Sequence, residues 1–139
     1  MLGNNNLFEL VVAGWGKTEH GYSEATWNDD LSKLSLTYVS NEQCTQEWRT
    51  KVRKTLTIAP SQICATGEEH ISDSCRGDSG GPLMAKNKES GQTEVIGIIS
   101  HGVRGCDSRK PAINTRVATY VKWIMSKQLK LAQLGKTVR

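Results

Sequence analysis

The sequence predicts an all-β fold, an antiparallel barrel closed by a single C-terminal α-helix. Three observations carry that prediction. Short apolar or alternating segments recur along the chain, Gly-rich or charged turns separate them, and only the last segment sustains a helical period. At 139 residues the chain has the size of one ordinary domain.

Residues 7–15 (LFELVVAGW) form an apolar, β-branched run ended by Gly14-Trp15-Gly16, which suits a buried strand. Residues 17–30 are polar and read as an exposed loop. Residues 31–39 (LSKLSLTYV) alternate apolar with polar, the period of a half-buried strand. Ser40-Asn41-Glu42-Gln43 opens a short helix, with Ser at the cap and Gln three residues later in the capping-box pattern. Four residues apart, Cys44 and Trp48 share one face of that helix. Further strands are predicted at 62–65, 82–85, 93–101 and 112–117. From 119 to about 134, Val121, Ile124, Met125, Leu129 and Ala132 recur at helical spacing, so the chain ends in an amphipathic helix.

Composition excludes several classes. The net charge of +4 is spread along the chain apart from Lys122, Lys127, Lys130, Lys136 and Arg139. No known nucleic-acid motif accompanies those charges, so they read as a solvated helix face. Cys44, Cys64, Cys75 and Cys106 are even in number and lack CxxC spacing, which argues against zinc and for two disulfides in an oxidising compartment. Count alone leaves three pairings open. No apolar run is long enough to span a membrane. Residues 1–13 have no basic start and are broken by Gly3 and three asparagines, so they do not read as a signal peptide. A chain that wants disulfides without an export signal is expected to be incomplete at its N-terminus.

The chemistry concentrates in GDSGGP, residues 77–82. A serine hydroxyl is a poor nucleophile until a base takes its proton and donors hold the oxyanion that forms. The glycines around Ser79 allow a sharp turn and close approach to a substrate, so the amides of Gly77 and Ser79 could point at one oxygen.

Four stretches, VAGWG at 12–16, DSCRGDSGGPL at 73–83, SHG at 100–102 with Cys106, and TYVKWI at 119–124, resemble the trypsin-like (chymotrypsin-fold) serine proteases in order and spacing. Within that family, CRGDSGGPLM and LSLTYVSNEQC resemble the arthropod clip-domain proteases of immune and developmental cascades. The likeness implies that residues 1–139 are a partial peptidase domain, the second (C-terminal) barrel of a double-barrel fold, with the helix 119–134 inside it. It implies Ser79 as nucleophile, with the amides of Gly77 and Ser79 as oxyanion hole. Asp73 would sit at the bottom of the primary pocket and pair with Arg or Lys of the substrate, while Ser100, Gly102 and Ala112 line the binding strand and pocket. Cys75–Cys106 and Cys44–Cys64 are the disulfides implied. No cofactor or metal is expected. The implied partners are protein substrates with Arg or Lys at the cleaved bond, the missing N-terminal barrel and serpin-type inhibitors, in an extracellular setting.

Three positions depart from the family pattern: Ala112 replaces a pocket glycine, Asn114 a tyrosine on the pocket's far side, and His101 an aromatic platform. Basic preference is expected to survive with altered discrimination between Arg and Lys. The family's catalytic histidine and aspartate belong to its first barrel, and His20, His70 and His101 do not sit in the Ala-Ala-His-Cys context it uses. In the family, the residue in the position of Asp78 pairs with an amine freed by zymogen cleavage. Without that partner the Asp78 loop is expected to relax and the isolated chain to be inactive. The competing reading is a truncated, non-catalytic homologue that binds partners. Retention of Ser79 and Asp73 argues against it, because a pure binding module needs neither.

Overall fold

A computed structural model describes residues 7–16, 29–49, 54–67, 78–102 and 110–137. Six antiparallel strands close into a barrel in the order β1-β2-β3-β6-β5-β4. They are β1 (Phe8–Gly14), β2 (Ser32–Val39), β3 (Gln62–Gly67), β4 (Pro82–Asn87), β5 (Thr93–His101) and β6 (Ala112–Arg116). The predicted barrel and each predicted strand are present, with ends shifted by one or two residues. Helix α1 (Asn41–Trp48) lies between β2 and β3, and α2 (Val121–Thr137) follows β6 through a 3-10 turn at Val117–Tyr120. That turn is why α2 starts two residues later than its apolar period suggests.

Alternation puts one face of each strand inside. Leu10 and Val12 of β1, Leu36 of β2, Ile63 and Ala65 of β3, Leu83 and Ala85 of β4 and Ile99 of β5 fill the barrel. Burying that set supplies the main driving force, at about 1.5–3 kcal/mol for each large side chain. A second cluster forms under α1, where Cys44 and Trp48 point inward together with Val39, Ile58, Cys64 and Ile113. The Cys44–Cys64 disulfide bolts α1 to β3. Cys75 and Cys106 lie outside the described residues.

At the start of α1, the Ser40 hydroxyl accepts from the Gln43 amide at 3.1 Å, as the cap predicts. The other half of the capping box does not form, because the Gln43 side chain donates instead to Glu47 one turn on, at 2.9 Å. On the outer face of the β1–β2 pair, the Ser35 hydroxyl donates to Glu9, and that bond holds the Glu9 carboxyl below its ordinary range. Neighbouring Lys33, Lys86 and Lys88 act in the same direction.

Helix α2 is less absorbed than its period suggests. Val121, Trp123, Ile124, Met125 and Leu129 are all exposed, as is Tyr120 at the end of the preceding 3-10 turn. An apolar stripe of that extent on an otherwise polar surface marks a face that another surface covers. No helix among the described residues is long and apolar enough to cross a membrane.

Candidate active site

The chain reverses direction through the turn 78–81, where the Gly81 amide donates to the Asp78 carbonyl at 2.8 Å. Gly80 occupies φ +85, a left-handed value that an L side chain resists and that the third position of such a turn demands. Ser79 is the exposed tip of this turn. Two further bonds fix the turn to β5: the Gly80 amide donates to the Ile99 carbonyl and the Ile99 amide to the Gly81 carbonyl, both at 2.9 Å. The serine is thus solvent-facing on a backbone held rigidly to the barrel.

Its neighbour Asp78 turns the other way, towards the end of β1. The Gly16 amide donates to Asp78 Oδ1 at 2.9 Å, and the half-buried carboxylate lies against the backbone of Gly14 and Gly16. The Gly16 amide is thus one partner of Asp78, distinct from the amine that the resemblance implies for it. Charge-assisted bonds of this kind are stronger than neutral ones, and this one ties the Ser79 turn to the first strand. A methyl group at either glycine would overlap the carboxylate, so the close approach explains Gly-Trp-Gly at this strand end. On the serine-protease role that the resemblance implies, Gly14→Ala is expected to displace Asp78 and slow fluorophosphonate labelling of Ser79 in the activated protein by about tenfold or more, since small misplacements of reacting groups carry such penalties. Labelling at the parent rate would remove the glycines from any role in holding Ser79.

The strand β5 carries Ser100 and His101 past this turn, both exposed, and Gly102 follows half-buried. His101 rests on Trp48, with ring centroids 5.4 Å apart and planes tilted by 42°. Trp48 is 5% exposed, donates from Nε1 to the Pro111 carbonyl at 2.8 Å, and has Lys110 Nζ 5.3 Å from its ring centroid. The indole therefore props the segment that follows Ser100, a role that Trp48's place on the Cys44 face did not disclose. Ala112 is buried in the barrel wall across from Ala65. Asn114, two residues on, is buried as well.

The structure thus brings Ser79, Asp78 and Ser100 to one end of the barrel, with Ala112 in the wall behind. Asp73 and Gly77 lie outside the described residues, as do His20 and His70. Among the described residues no group of His, Cys, Asp and Glu side chains is arranged to hold a metal. As built, the arrangement is a presented hydroxyl on a fixed turn beside an exposed strand end.

A family model described as trypsin matches residues 6–124. The clotting factor G beta subunit of Tachypleus tridentatus is 35% identical over 123 residues, covering 87% of this chain and 39% of that protein. Melanization protease 1 of Drosophila melanogaster is 39% identical over 127 residues, covering 87% of this chain and 30% of that one. CLIP domain-containing serine protease B8 of Anopheles gambiae is 39% identical over 121 residues, covering 84% and 29%. The chain therefore spans between 29% and 39% of the length of these relatives. Among solved structures, neuropsin, a serine protease expressed in the limbic system of mouse brain, superposes with a TM-score of 0.70 at 25% identity, covering 86% of this chain and 48% of that one.

Proposed function

The chain belongs to the trypsin family, and from that premise we propose that it carries the nucleophile and primary pocket of a secreted serine endopeptidase that cleaves after Arg or Lys. One observation supports this above the others: Ser79 stands exposed on a turn fixed to β5 by two backbone bonds and to the end of β1 through Asp78. That is the mounting a nucleophile needs.

The mechanism follows for which this family is the type case. A histidine base takes the Ser79 proton as Oγ attacks the scissile carbonyl, and an aspartate orients the histidine. Both come from a preceding barrel of the same protein. The amides of Gly77 and Ser79 hold the oxyanion, the tetrahedral intermediate expels the amine leaving group, and water releases the acyl-enzyme. Asp73 receives the cationic side chain, and Ser100 to Gly102 offer backbone to the extended substrate. Asp78 accepts the amine freed by activation alongside the Gly16 amide, since an ionised carboxylate has acceptor sites for several donors. The exposed face of α2 packs on the preceding barrel. Alone, the chain lacks the base and hydrolyses nothing at a useful rate.

The names of the relatives, a clotting factor subunit and a melanization protease, favour a place in an extracellular proteolytic cascade, as does the disulfide. Protein substrates and serpin-type inhibitors are the partners this role implies. The test is to activate the full-length protease and compare peptide substrates that differ only at the cleaved residue. Arginyl and lysyl peptides should exceed tyrosyl by about a hundredfold or more in kcat/KM, because a tyrosine leaves the Asp73 carboxylate without a cationic partner. Faster cleavage after tyrosine would refute the assignment of Asp73.

A further inference from the structure

We propose that one face of α2 binds a sulfated polysaccharide, with the Trp123 ring stacked on a sugar and the Lys127 and Lys130 ammonium groups on its sulfates. This surface shares no residue with the Ser79 chemistry; only the extracellular setting is taken from the peptidase reading. Trp123 is 60% exposed, and Lys127 Nζ lies 5.8 Å from its ring centroid. Lys122 and Lys130 are exposed as well. From Ser108 to Arg139 the sequence holds eight Lys and Arg residues and no Asp or Glu.

At about 100° per residue, Val121, Ile124, Met125 and Leu129 form the stripe that the proposed function packs on the preceding barrel, and Trp123 stands on the far side of the helix from them. Lys130 lies about 20° to one side of Trp123 and Lys127 about 40° to the other, so two cations flank the indole. The Ser126 hydroxyl donates to the Trp123 carbonyl at 2.7 Å. These lysines do not stabilise the helix. Like charges one turn apart repel, and no carboxylate stands within a turn of either in the sequence to offset them. Lys122 adds a cation in the first turn, where the helix dipole opposes it and no acid balances it. An exposed indole among uncompensated cations is a surface shaped for an anion.

Spacing and chemistry say which anion. Lys122, Lys127 and Lys130 offer their charges along a line about 12 Å long instead of converging on one point. A linear polyanion meets such a row, and a single phosphate does not. Ammonium groups are compact point charges that suit sulfate oxygens in any orientation, while the Trp123 ring packs against the C–H face of a sugar. A lipid surface would need the apolar stripe turned towards the bilayer, where it could not also pack on a barrel. Nucleic acid offers bases to the ring and phosphates to the lysines, but the disulfide points to an oxidising compartment.

The experiment measures binding of the full-length protein to heparin across a salt series, with a single-stranded oligonucleotide and phosphatidylserine vesicles as comparison probes. Lys127→Gln with Lys130→Gln should weaken heparin binding about tenfold or more at physiological salt and lower the slope of log affinity against log salt by about one to two. Trp123→Ala should weaken it about fivefold or more and leave that slope in place, because stacking releases no counterion. Lys33→Gln with Lys86→Gln, an equal loss of charge at exposed positions of β2 and β4, should change affinity by less than about twofold. Melting temperatures should match the parent, since all these side chains are exposed. Equal losses in the two lysine pairs reduce the effect to net charge and overturn the proposal. So do unchanged affinity in the α2 variants, no heparin binding by the parent, or tighter binding to the oligonucleotide or the vesicles than to heparin. Turnover of a short arginyl peptide should be the same in every variant, which keeps this test separate from that of the peptidase reading.

Discussion

Replacing Ser79 with Ala in the activated protease is expected to lower kcat for an arginyl peptide by about 10⁴-fold or more, with KM nearly unchanged. The split follows from where the hydroxyl sits. Ser79 is an exposed turn tip, so its Oγ contributes nothing to the core, and the backbone bonds through Gly80, Gly81 and Ile99 survive the change. Substrate binding, which the proposed function assigns to the Asp73 pocket and the end of β5, should also survive. What disappears is covalent attack, an interaction made only on the way to the acyl-enzyme. Steady-state kinetics at known enzyme concentration read the effect, and thermal unfolding should agree with the parent to within about 0.5 kcal/mol, the usual range for exposed substitutions. Retention of a tenth of the parent turnover would show that another residue is the nucleophile.

The second large effect falls on stability. Cys44 and Cys64 are both fully buried, and their bond joins residues 20 apart, from the first turns of α1 to the middle of β3. Removing both sulfurs as Cys44→Ala with Cys64→Ala is expected to destabilise this domain by about 2–5 kcal/mol, through loss of the crosslink and of packing among Val39, Ile58 and Ile113. In a domain of this size that is a fall in melting temperature on the order of 10 °C. Calorimetry gives the size of the loss, and the fluorescence of Trp48, packed in the same cluster, locates it. A change under about 1 kcal/mol would mean that the α1 cluster holds without its bolt.

Much of the fold was legible because alternation and turn residues act locally. LSKLSLTYV could bury only one face, so its register against β1 and β3 follows from its own pattern. The Ser79 turn was legible for the same reason, as a glycine at 80 permits the left-handed φ that the turn needs. Long-range partners were not. Nothing near Asp78 in sequence points to Gly16, 62 residues away, and the capping pattern at Ser40 could not say that Gln43 would prefer Glu47. The stacking of His101 on Trp48 and the register shift of β5 against β6 are features of helix and strand pairing that no single segment encodes.

The strand order has a consequence for how the molecule is made. In the closed ring, β6 stands between β3 and β5, although of the six barrel strands it is the last to leave the ribosome. Until it arrives, β1 can already pair with β2 and β4, while β3 and β5 each hold an open edge facing the gap. Open edges are templates for pairing with other chains. The hazard of misassembly is therefore timed: it begins when β5 is synthesised and ends when residues 112–116 slot into place.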